Sequence, residues 1–405
     1  MVRGLCFCVA LLLLVPLGVS NQGALVVPSL SPFVAVASLL AIRVLSLAAC
    51  LGLAVGVVAV LKRRWFCHWV CPTGLLADIA TRCGLRRGRR CPRLPSVGSW
   101  IALITIGGAF VGYPLLLWLD PLALFCACFG VFQGSSEAAP WWLAAGLAGV
   151  LLISIVWPGL WCLRLCPLGA TQDLLADVAG GMQRLIGRAA DSPRASSGLV
   201  LPRRIILGSA VGVAWAMAAR ALQGQGSRCL RPPGAAEEAQ FVGVCIRCGN
   251  CTRVCPANII HPDLGEQGIA GLLAPVVRFT DDYCREDCTR CTDVCPSGAL
   301  APVTIDDKVS TVMGVPHVDM ERCLLGDDRE CSICRNRCPF EAISLKFCEV
   351  EYTLTPRVDL AKCPGCGACE VACPTTPLKA IVVRARDWHT HPALVTILGL
   401  GTAQE

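Results

Sequence analysis

Long apolar runs separated by short polar loops occupy the first half of the chain, at about residues 5–19, 33–61, 97–119, 141–161 and 205–222. A helix needs about 20 apolar residues to cross a bilayer, so the second run is ample and the first and last are short. Beyond residue 222 these runs give way to cysteine clusters in a mixed polar background. The pattern predicts an α-helical membrane module of four or five transmembrane helices, followed by a soluble domain.

The polar loops between the apolar runs differ in charge. Loop 62–96 carries nine Lys and Arg and loop 161–204 carries six, whereas loops 20–32 and 120–140 carry none. Because loops rich in Lys and Arg stay in the cytoplasm, the two basic loops are expected to face it. An odd number of crossings then places the C-terminal half on the outer side of the membrane.

Two apolar segments also resemble export signals. Residues 1–20 have the charged start and short apolar core of a cleaved signal peptide, and a first membrane helix is the other interpretation. A pair of arginines begins the run at 201–222 as in a twin-arginine signal, with an ordinary fifth helix as the alternative. Both interpretations of that segment deliver residues 223–405 to the outer side.

Charge and cysteine content narrow the function. The net charge of +7 divides into 18 Lys and Arg against 6 Asp and Glu in residues 1–222, and 18 against 23 in 223–405. The basic excess therefore belongs to membrane loops, and we expect no nucleic-acid partner. The 29 cysteines occur without a Cys-x-x-Cys-His sequence, which argues against covalent c-type haem and for metal clusters.

Sixteen cysteines form four quartets that each end in Cys-Pro. Three thiolates of one tight loop bind three irons of a [4Fe–4S] cluster, and in two-cluster ferredoxins the cysteine before Pro ligates the other cluster. We therefore expect four [4Fe–4S] clusters in a double bacterial-ferredoxin-like α+β domain. Structural zinc, the alternative, seldom shows three cysteines in seven residues followed by Cys-Pro. The expected ligand sets are Cys245, Cys248, Cys251 and Cys295; Cys284, Cys288, Cys291 and Cys255; Cys323, Cys331, Cys334 and Cys373; and Cys363, Cys366, Cys369 and Cys338.

Two Cys-x3-Cys-Pro sequences lie in the basic loops, and their cysteines are Cys67, Cys71, Cys162 and Cys166. The two thiols of each pair are one turn apart in a helix, and each Pro can start the next helix. Three interpretations remain open: one shared iron–sulfur centre, dithiols for redox sensing or assembly, or turns without metal. Cys126 and Cys128 in an outer loop are expected to be packed apolar residues or a small thiol pair, or to help hold an outer centre.

These motifs resemble a known family. The segment "VGVCIRCGNCTRVCP", the widened second and third quartets and "CPGCGACEVACP" resemble the ferredoxin-type proteins NapG and MauM. The pieces "SLSPFVAV", "WFCHWVCPTG", "DPLALF" and "WCLRLCPLG" resemble their membrane partners NapH and MauN. The chain thus resembles both subunits in one polypeptide, with a NapH-like domain at 1–200, the twin-arginine-like segment at 201–222 and a NapG-like domain at 223–405. It departs from the pattern in lacking a cytoplasmic ferredoxin pair at 180–204 and in having Cys126 and Cys128.

The resemblance implies a quinol dehydrogenase in the bacterial inner (cytoplasmic) membrane with a periplasmic ferredoxin domain. Its membrane part would take electrons from the quinol pool, and its clusters would pass them to a periplasmic c-type cytochrome or reductase, as in nitrate reduction or amine oxidation. The alternative, suggested by NosR-like relatives, is a redox assembly or activation factor that reduces or matures a partner metalloenzyme. A cytoplasmic ferredoxin tethered to the membrane would require the opposite topology. No nucleophile or acid–base constellation is evident, so the catalytic residues stay unknown at this point.

Overall fold

The computed structural model describes residues 2–14, 23–84, 95–130, 141–191, 203–223, 229–265, 268–327, 329–348 and 353–385. The signal-like segments predicted at 1–20 and 201–222 lie partly outside these residues, at 1, 15–20 and 201–202. Up to residue 223 the described chain is a helical module, and from 229 to 385 it is a cysteine-rich head.

Eleven α-helices are described in the helical module. They are Val2–Leu14 (α1), Gly23–Ser29 (α2), Pro32–Ile42 (α3), Leu47–Leu61 (α4), Trp65–Trp69 (α5), Pro72–Cys83 (α6), Val97–Phe110 (α7), Pro121–Gly130 (α8), Trp141–Val156 (α9), Pro167–Asp191 (α10) and Arg203–Gln223 (α11). A 3-10 turn at Leu117–Leu119 precedes α8, and a π-helical turn at Trp161–Leu165 precedes α10.

The described part of the head consists of short helices and three two-stranded antiparallel sheets. This is less β structure than the predicted α+β architecture implies, because most of the chain here forms loops around cysteines. The helices are Glu238–Val244 (α12), Asn250–Val254 (α13), Arg290–Asp293 (α14), Ile333–Asn336 (α15) and Ala368–Ala372 (α16). The strand pairs are Ile260–Pro262 (β1) with Pro275–Val277 (β2), Gly314–Val318 (β3) with Ile381–Ala385 (β6), and Ile343–Cys348 (β4) with Thr353–Val358 (β5).

The apolar run 33–61 is divided into two helices. Arg43 ends α3 in the left-handed conformation, at φ 60°. Ser46 begins α4 by accepting a hydrogen bond from the Ala49 amide at 3.1 Å, the usual way in which a serine caps a helix. Hydrophobicity averaged over a window does not reveal this break, because Arg43 and Ser46 stand within a long apolar run.

Breaks of this kind change the number of membrane spans. Within the described residues, one helix is long and apolar enough to cross a membrane, at Arg203–Ala221, and the pair α2 and α3, bent by 90°, would add a second. The prediction of four or five spanning helices is wrong by this measure of length and composition. The other apolar helices have only 10–17 residues and are Val2–Leu14, Leu47–Leu61, Val97–Phe110 and Ala144–Val156.

Helix α11 lies very close to α7 because both helices carry glycine where they meet. A Cβ atom on Gly212 would lie 2.2 Å from the Ile104 carbonyl oxygen, and one on Gly107 would lie 2.3 Å from the Ser209 carbonyl oxygen. Small residues that let two backbones approach are typical of helix pairs in membranes. In the structure, α11 is therefore an integral helix of the module.

The head rests directly on the helical module. The Gln240 side-chain amide donates to the Ala41 carbonyl of α3 at 3.0 Å, and the Asn250 side-chain amide donates to the Ala24 carbonyl of α2 at 3.0 Å. Buried apolar residues of both parts form one continuous core. The first cysteine quartet is consequently held against the module.

Candidate iron–sulfur centres

Four thiols line one cavity of the head, which we call centre 1: Cys245, Cys248, Cys251 and Cys295. The first three come from one loop, in which Gly249 adopts a left-handed φ of 73° before α13 begins. Glycine has no Cβ penalty in this conformation, so the loop can fold tightly around the cavity. The fourth thiol comes from the second quartet.

A neighbouring cavity, centre 2, is lined by Cys255, Cys284, Cys288 and Cys291. Three of these cysteines belong to the second quartet. The fourth, Cys255, follows the last residue of α13 and belongs to the first quartet. The cysteine before Pro in each quartet therefore faces the cavity of the other. This is the crosswise grouping that two-cluster ferredoxins use.

The second half of the head repeats the arrangement. The thiols of Cys323, Cys331 and Cys334 interact electrostatically with one another, and Cys323 also with Cys373; we call this centre 3. Centre 4 is the set formed by Cys363, Cys366, Cys369 and Cys338, which interact in the same way. All sixteen cysteines singled out in the sequence are thus gathered into four sets.

Glycines allow the backbone to approach centre 4 closely. Gly365 and Gly367 have left-handed φ angles of 77° and 85°. A Cβ on Gly365 would lie 2.2 Å from the Gly314 carbonyl oxygen, and one on Gly367 would lie 2.4 Å from the Phe279 ring. No other residue fits either position, so the loop holds its amide groups next to the thiols, where hydrogen bonds to sulfur tune the potential of a cluster.

The donor set and its spacing fit iron–sulfur clusters better than single ions. Among the described residues, no three Cys, His, Asp or Glu side chains converge closely enough to hold one metal ion. The thiols of centres 1 and 2 surround cavities instead, as expected for ligands of a multi-atom cluster. Zinc, which draws its four ligands to about 2.3 Å from one point, does not match this arrangement.

Burial affects the chemistry of these thiols. It raises the pKa of Cys291 and that of Cys366 to about 12. At neutral pH both thiols are therefore protonated in the empty protein, and cluster binding must release their protons. Cys373 differs, because hydrogen bonds from Thr375 and the backbone outweigh its burial and lower its pKa.

The four sets form a series in space that differs from their order in sequence. Cys251 of centre 1 interacts electrostatically with Cys291 of centre 2. The Cys284 amide of centre 2 donates to the Cys366 carbonyl of centre 4 at 2.9 Å. Cys369 of centre 4 interacts with Cys334 of centre 3. The spatial order from the module outward is therefore centre 1, centre 2, centre 4 and centre 3.

The two Cys-x3-Cys-Pro sequences adopt matching conformations. Cys71 caps α6 and its sulfur accepts a hydrogen bond from the Gly74 amide at 3.4 Å. Cys166 precedes α10 with nearly the same backbone angles, and its sulfur accepts from the Gly169 amide. Each of these two sulfurs is therefore held at the N-terminus of the helix that follows it.

The structure also brings these two sequences together, as the shared-centre interpretation requires. The Cys166 thiol interacts electrostatically with the other three cysteines: Cys67, Cys71 and Cys162. The Gln172 side-chain amide donates to the Cys67 sulfur at 3.1 Å. The four thiols therefore form one group that we call the paired-motif site.

Ion pairs support each half of the paired-motif site. Arg64 binds Asp173 through two nitrogens, at 2.5 and 2.9 Å, and donates to the Cys162 carbonyl at 3.3 Å. Arg3 pairs with Asp78 at 2.7 Å. These ion pairs were not predicted from the sequence. Their readable signal is that both aspartates stand seven residues after the cysteine that precedes Pro.

Helix α8 connects the paired-motif site to centre 1. At its start, the Thr73 hydroxyl donates to the Pro121 carbonyl at 2.8 Å. One turn further, the buried Cys126 accepts a hydrogen bond from Arg253 and interacts electrostatically with Cys248 of centre 1. Cys126 is therefore a buried contact residue between module and head, whereas Cys128 is only partly buried.

Protein families of known cofactor match both halves of the chain. Residues 244–299 match the family described as a 4Fe-4S dicluster domain. Residues 355–380 match a family described as a 4Fe-4S binding domain. A further 4Fe-4S binding domain family matches residues 44–90 and 138–188, which contain the two Cys-x3-Cys-Pro sequences. The chain therefore carries several [4Fe–4S]-binding ferredoxin domains.

Relatives of this chain are ferredoxin-type proteins. It is 39% identical over 155 residues to the methylamine utilization ferredoxin-type protein MauM of Methylophilus methylotrophus, covering 36% of this chain and 66% of that protein. Identity to MauM of Methylorubrum extorquens is 38%, covering 36% of this chain and 69% of that protein. Identity to the ferredoxin-type protein NapG of Escherichia coli is 35%, covering 41% of this chain and 74% of that protein. No solved structure matches the chain.

Proposed function

Because this chain belongs to the family of ferredoxin-type electron-transfer proteins that includes MauM and NapG, we propose that it is a membrane-bound quinol dehydrogenase. In this proposal it takes electrons from the quinol pool and delivers them to a periplasmic c-type cytochrome or reductase. The observation that carries the proposal is the series of thiol groups that begins at the paired-motif site, follows α8 and ends at centre 3.

A bacterial inner-membrane location is supported by the outer surface of the helical module. Large apolar side chains there are exposed, with Leu47 at 80%, Leu61 at 79% and Trp215 at 60%. Exposed apolar area of this extent in a soluble protein would favour aggregation, whereas lipid would cover it. In this proposal the basic loops keep the paired-motif site toward the cytoplasm, and the long apolar helix Arg203–Ala221 then carries the chain across to a periplasmic head.

An apolar cleft of about 200 Å³ offers a place for the quinol. It lies beside the paired-motif site and is lined by side chains that include Val9, Val27, Phe66, Val70, Pro72 and Leu122. Phe66 and Val70 belong to the same short segment as Cys67 and Cys71. Small-molecule sites are mostly apolar with few polar groups, and an apolar lining of this kind suits a quinol ring with its isoprenoid chain.

A buried acid next to the cleft would accept a proton from the quinol. Asp120 is fully buried and accepts hydrogen bonds from the Ser31 hydroxyl at 2.6 Å and from the amides of Leu122 and Ala123 at 3.0 and 3.1 Å. Its neighbour Leu122 lines the cleft. Quinol oxidation releases two electrons and two protons, and a buried carboxyl is a suitable first proton acceptor.

The chain's own residues hold and space the cofactors. Centres 1 to 4 would each bind one [4Fe–4S] cluster, and Cys67, Cys71, Cys162 and Cys166 would bind a further iron–sulfur centre. When bound, these clusters accept and release single electrons, which divides a two-electron oxidation into one-electron transfers. Centre 3 lies at the outer end of the series, and its cysteines Cys323, Cys331 and Cys334 are partly exposed, as a contact site for the acceptor requires.

Anaerobic reduction by a quinol analogue tests the proposal. Protein reconstituted into lipid is mixed with the analogue, and the EPR signals of reduced clusters are recorded against full reduction by dithionite. We expect quinol to reduce the clusters and an added c-type cytochrome to reoxidise them. If dithionite reduces the clusters and quinol does not, the dehydrogenase proposal is wrong. If the protein is needed only while a partner metalloenzyme matures, the assembly-factor alternative holds.

A further inference from the structure

A lysine is buried beside centre 2. Lys308 ends the 3-10 turn Asp306–Lys308 and is 1% exposed. Its ammonium group donates to the carbonyl oxygens of Arg285 and Cys288 and to the Cys284 thiol. It also interacts electrostatically with Cys291, so it faces two of the four ligands of the centre.

The hydrogen bonds satisfy the donors of this lysine but leave its charge without a partner. Within the described residues, no Asp or Glu lies at ion-pair distance from Lys308. The adjacent Asp307 is directed to Thr304, which donates to it at 2.6 Å. Burying an unpaired ammonium group is strongly unfavourable, so an anion is expected next to it.

We propose that Lys308 is the fixed counter-cation of centre 2 and holds the reduction potential of that centre above its intrinsic value. A [4Fe–4S] cluster bound by four thiolates is anionic and gains one more negative charge on reduction. A buried cation beside it stabilises the reduced form more than the oxidised form, which raises the potential. This inference rests on the ligand set proposed for centre 2 and does not depend on the quinol.

Among the described residues of the second half of the head, the lysine beside a centre has a different environment. Lys379 donates to the Cys373 carbonyl of centre 3 at 2.5 Å, yet it is only partly buried and interacts electrostatically with Glu370. Its charge is therefore shared with a carboxylate and with solvent. As a result, centre 2 is distinguished from centre 3 by a buried cation whose charge no carboxylate of the described residues shares.

Redox titration of Lys308 variants tests the proposal. Lys308→Met keeps the length of the side chain and removes the charge, Lys308→Arg keeps the charge, and Lys346→Met removes an exposed lysine of β4 as the matched control. Iron per chain is counted first, and the clusters are then titrated anaerobically with dithionite while EPR is recorded. We expect Lys308→Met to lower the midpoint potential of one cluster with full iron content, and Lys308→Arg and Lys346→Met to leave all potentials in place.

A neutral variant with full iron content and unchanged potentials would overturn the proposal. If Lys308→Met loses iron, Lys308→Gln repeats the test, because its amide still donates to the two carbonyls. Iron loss in both neutral variants but not in Lys308→Arg would show that the charge is needed to assemble centre 2, which supports the proposal. Iron loss in all three would assign a packing role only and reject it. Because dithionite supplies the electrons, the outcome is independent of whether quinol is the donor.

Discussion

Gly365 is the position at which one added methyl group is expected to disable a single centre. Alanine at φ 77° costs about 1 kcal/mol, because left-handed backbone is unfavourable for residues with a Cβ. Its Cβ would lie 2.2 Å from the Gly314 carbonyl oxygen, where ordinary contact begins at 3.4 Å, so β3 must retreat by about 1.2 Å. That movement breaks the hydrogen bond from the Met313 amide to the Pro364 carbonyl, now 2.8 Å long, for about 1 kcal/mol more.

Together, the backbone strain and the lost hydrogen bond destabilise the loop that carries Cys366 by at least about 2 kcal/mol. Gly365→Ala is therefore expected to lose the cluster of centre 4. Iron and sulfide per chain should fall by one cluster, with the EPR signals of the other centres retained. Gly180→Ala is the control, because nothing lies within 4 Å of that helical position and alanine should stabilise α10. Full iron content in Gly365→Ala would refute the steric reasoning.

Three further outcomes follow from the site. Asp120→Asn keeps a hydrogen-bond acceptor, and it should slow quinol-driven cluster reduction at least tenfold while leaving dithionite reduction unchanged. Equal rates of quinol-driven reduction in the variant and the original protein would show that Asp120 is not the proton acceptor. Cys71→Ser with Cys162→Ser should lower iron per chain by one centre, whereas Cys126→Ser should leave iron content unchanged; no loss in the double variant would exclude a shared centre. Burial raises the pKa of Cys291 and Cys366 to about 12, so their protons must leave before iron binds. Reconstitution of the empty protein should therefore become faster as pH rises toward 9 and slower below 7. The rate is measured by the return of cluster absorbance.

The sequence was most informative where ligand spacing is set by cluster chemistry. Three thiolates within seven or eight residues followed by Cys-Pro leave few structural solutions. The sets around Cys245 and Cys284 could therefore be predicted with the crosswise partner of each. The structure groups the cysteines in this way. Lys308 could not be foreseen, because it follows two aspartates in a charged run that looks like solvated surface. Only the folded chain turns its side chain inward.

The helical module was less accessible to sequence reasoning. Hydropathy averages over a window, so it does not detect the break between Arg43 and Ser46, which depends on one backbone angle and one hydrogen bond. Hydropathy also gives no information on which helices and loops of the module contact each other. The contact between Thr73 and Pro121 joins two loops that were predicted to lie on opposite sides of the membrane. Such contacts depend on helices that turn back within the module, which apolar periodicity does not encode.

The hydrogen bonds from Gln240 to Ala41 and from Asn250 to Ala24 join the head to the helical module within one polypeptide. Two free proteins must find each other, and their complex comes apart on dilution. In one polypeptide the parts are made in equal number, and a tether gives each an effective concentration for the other on the order of millimolar. A weak interface is then sufficient to keep the head seated on the module.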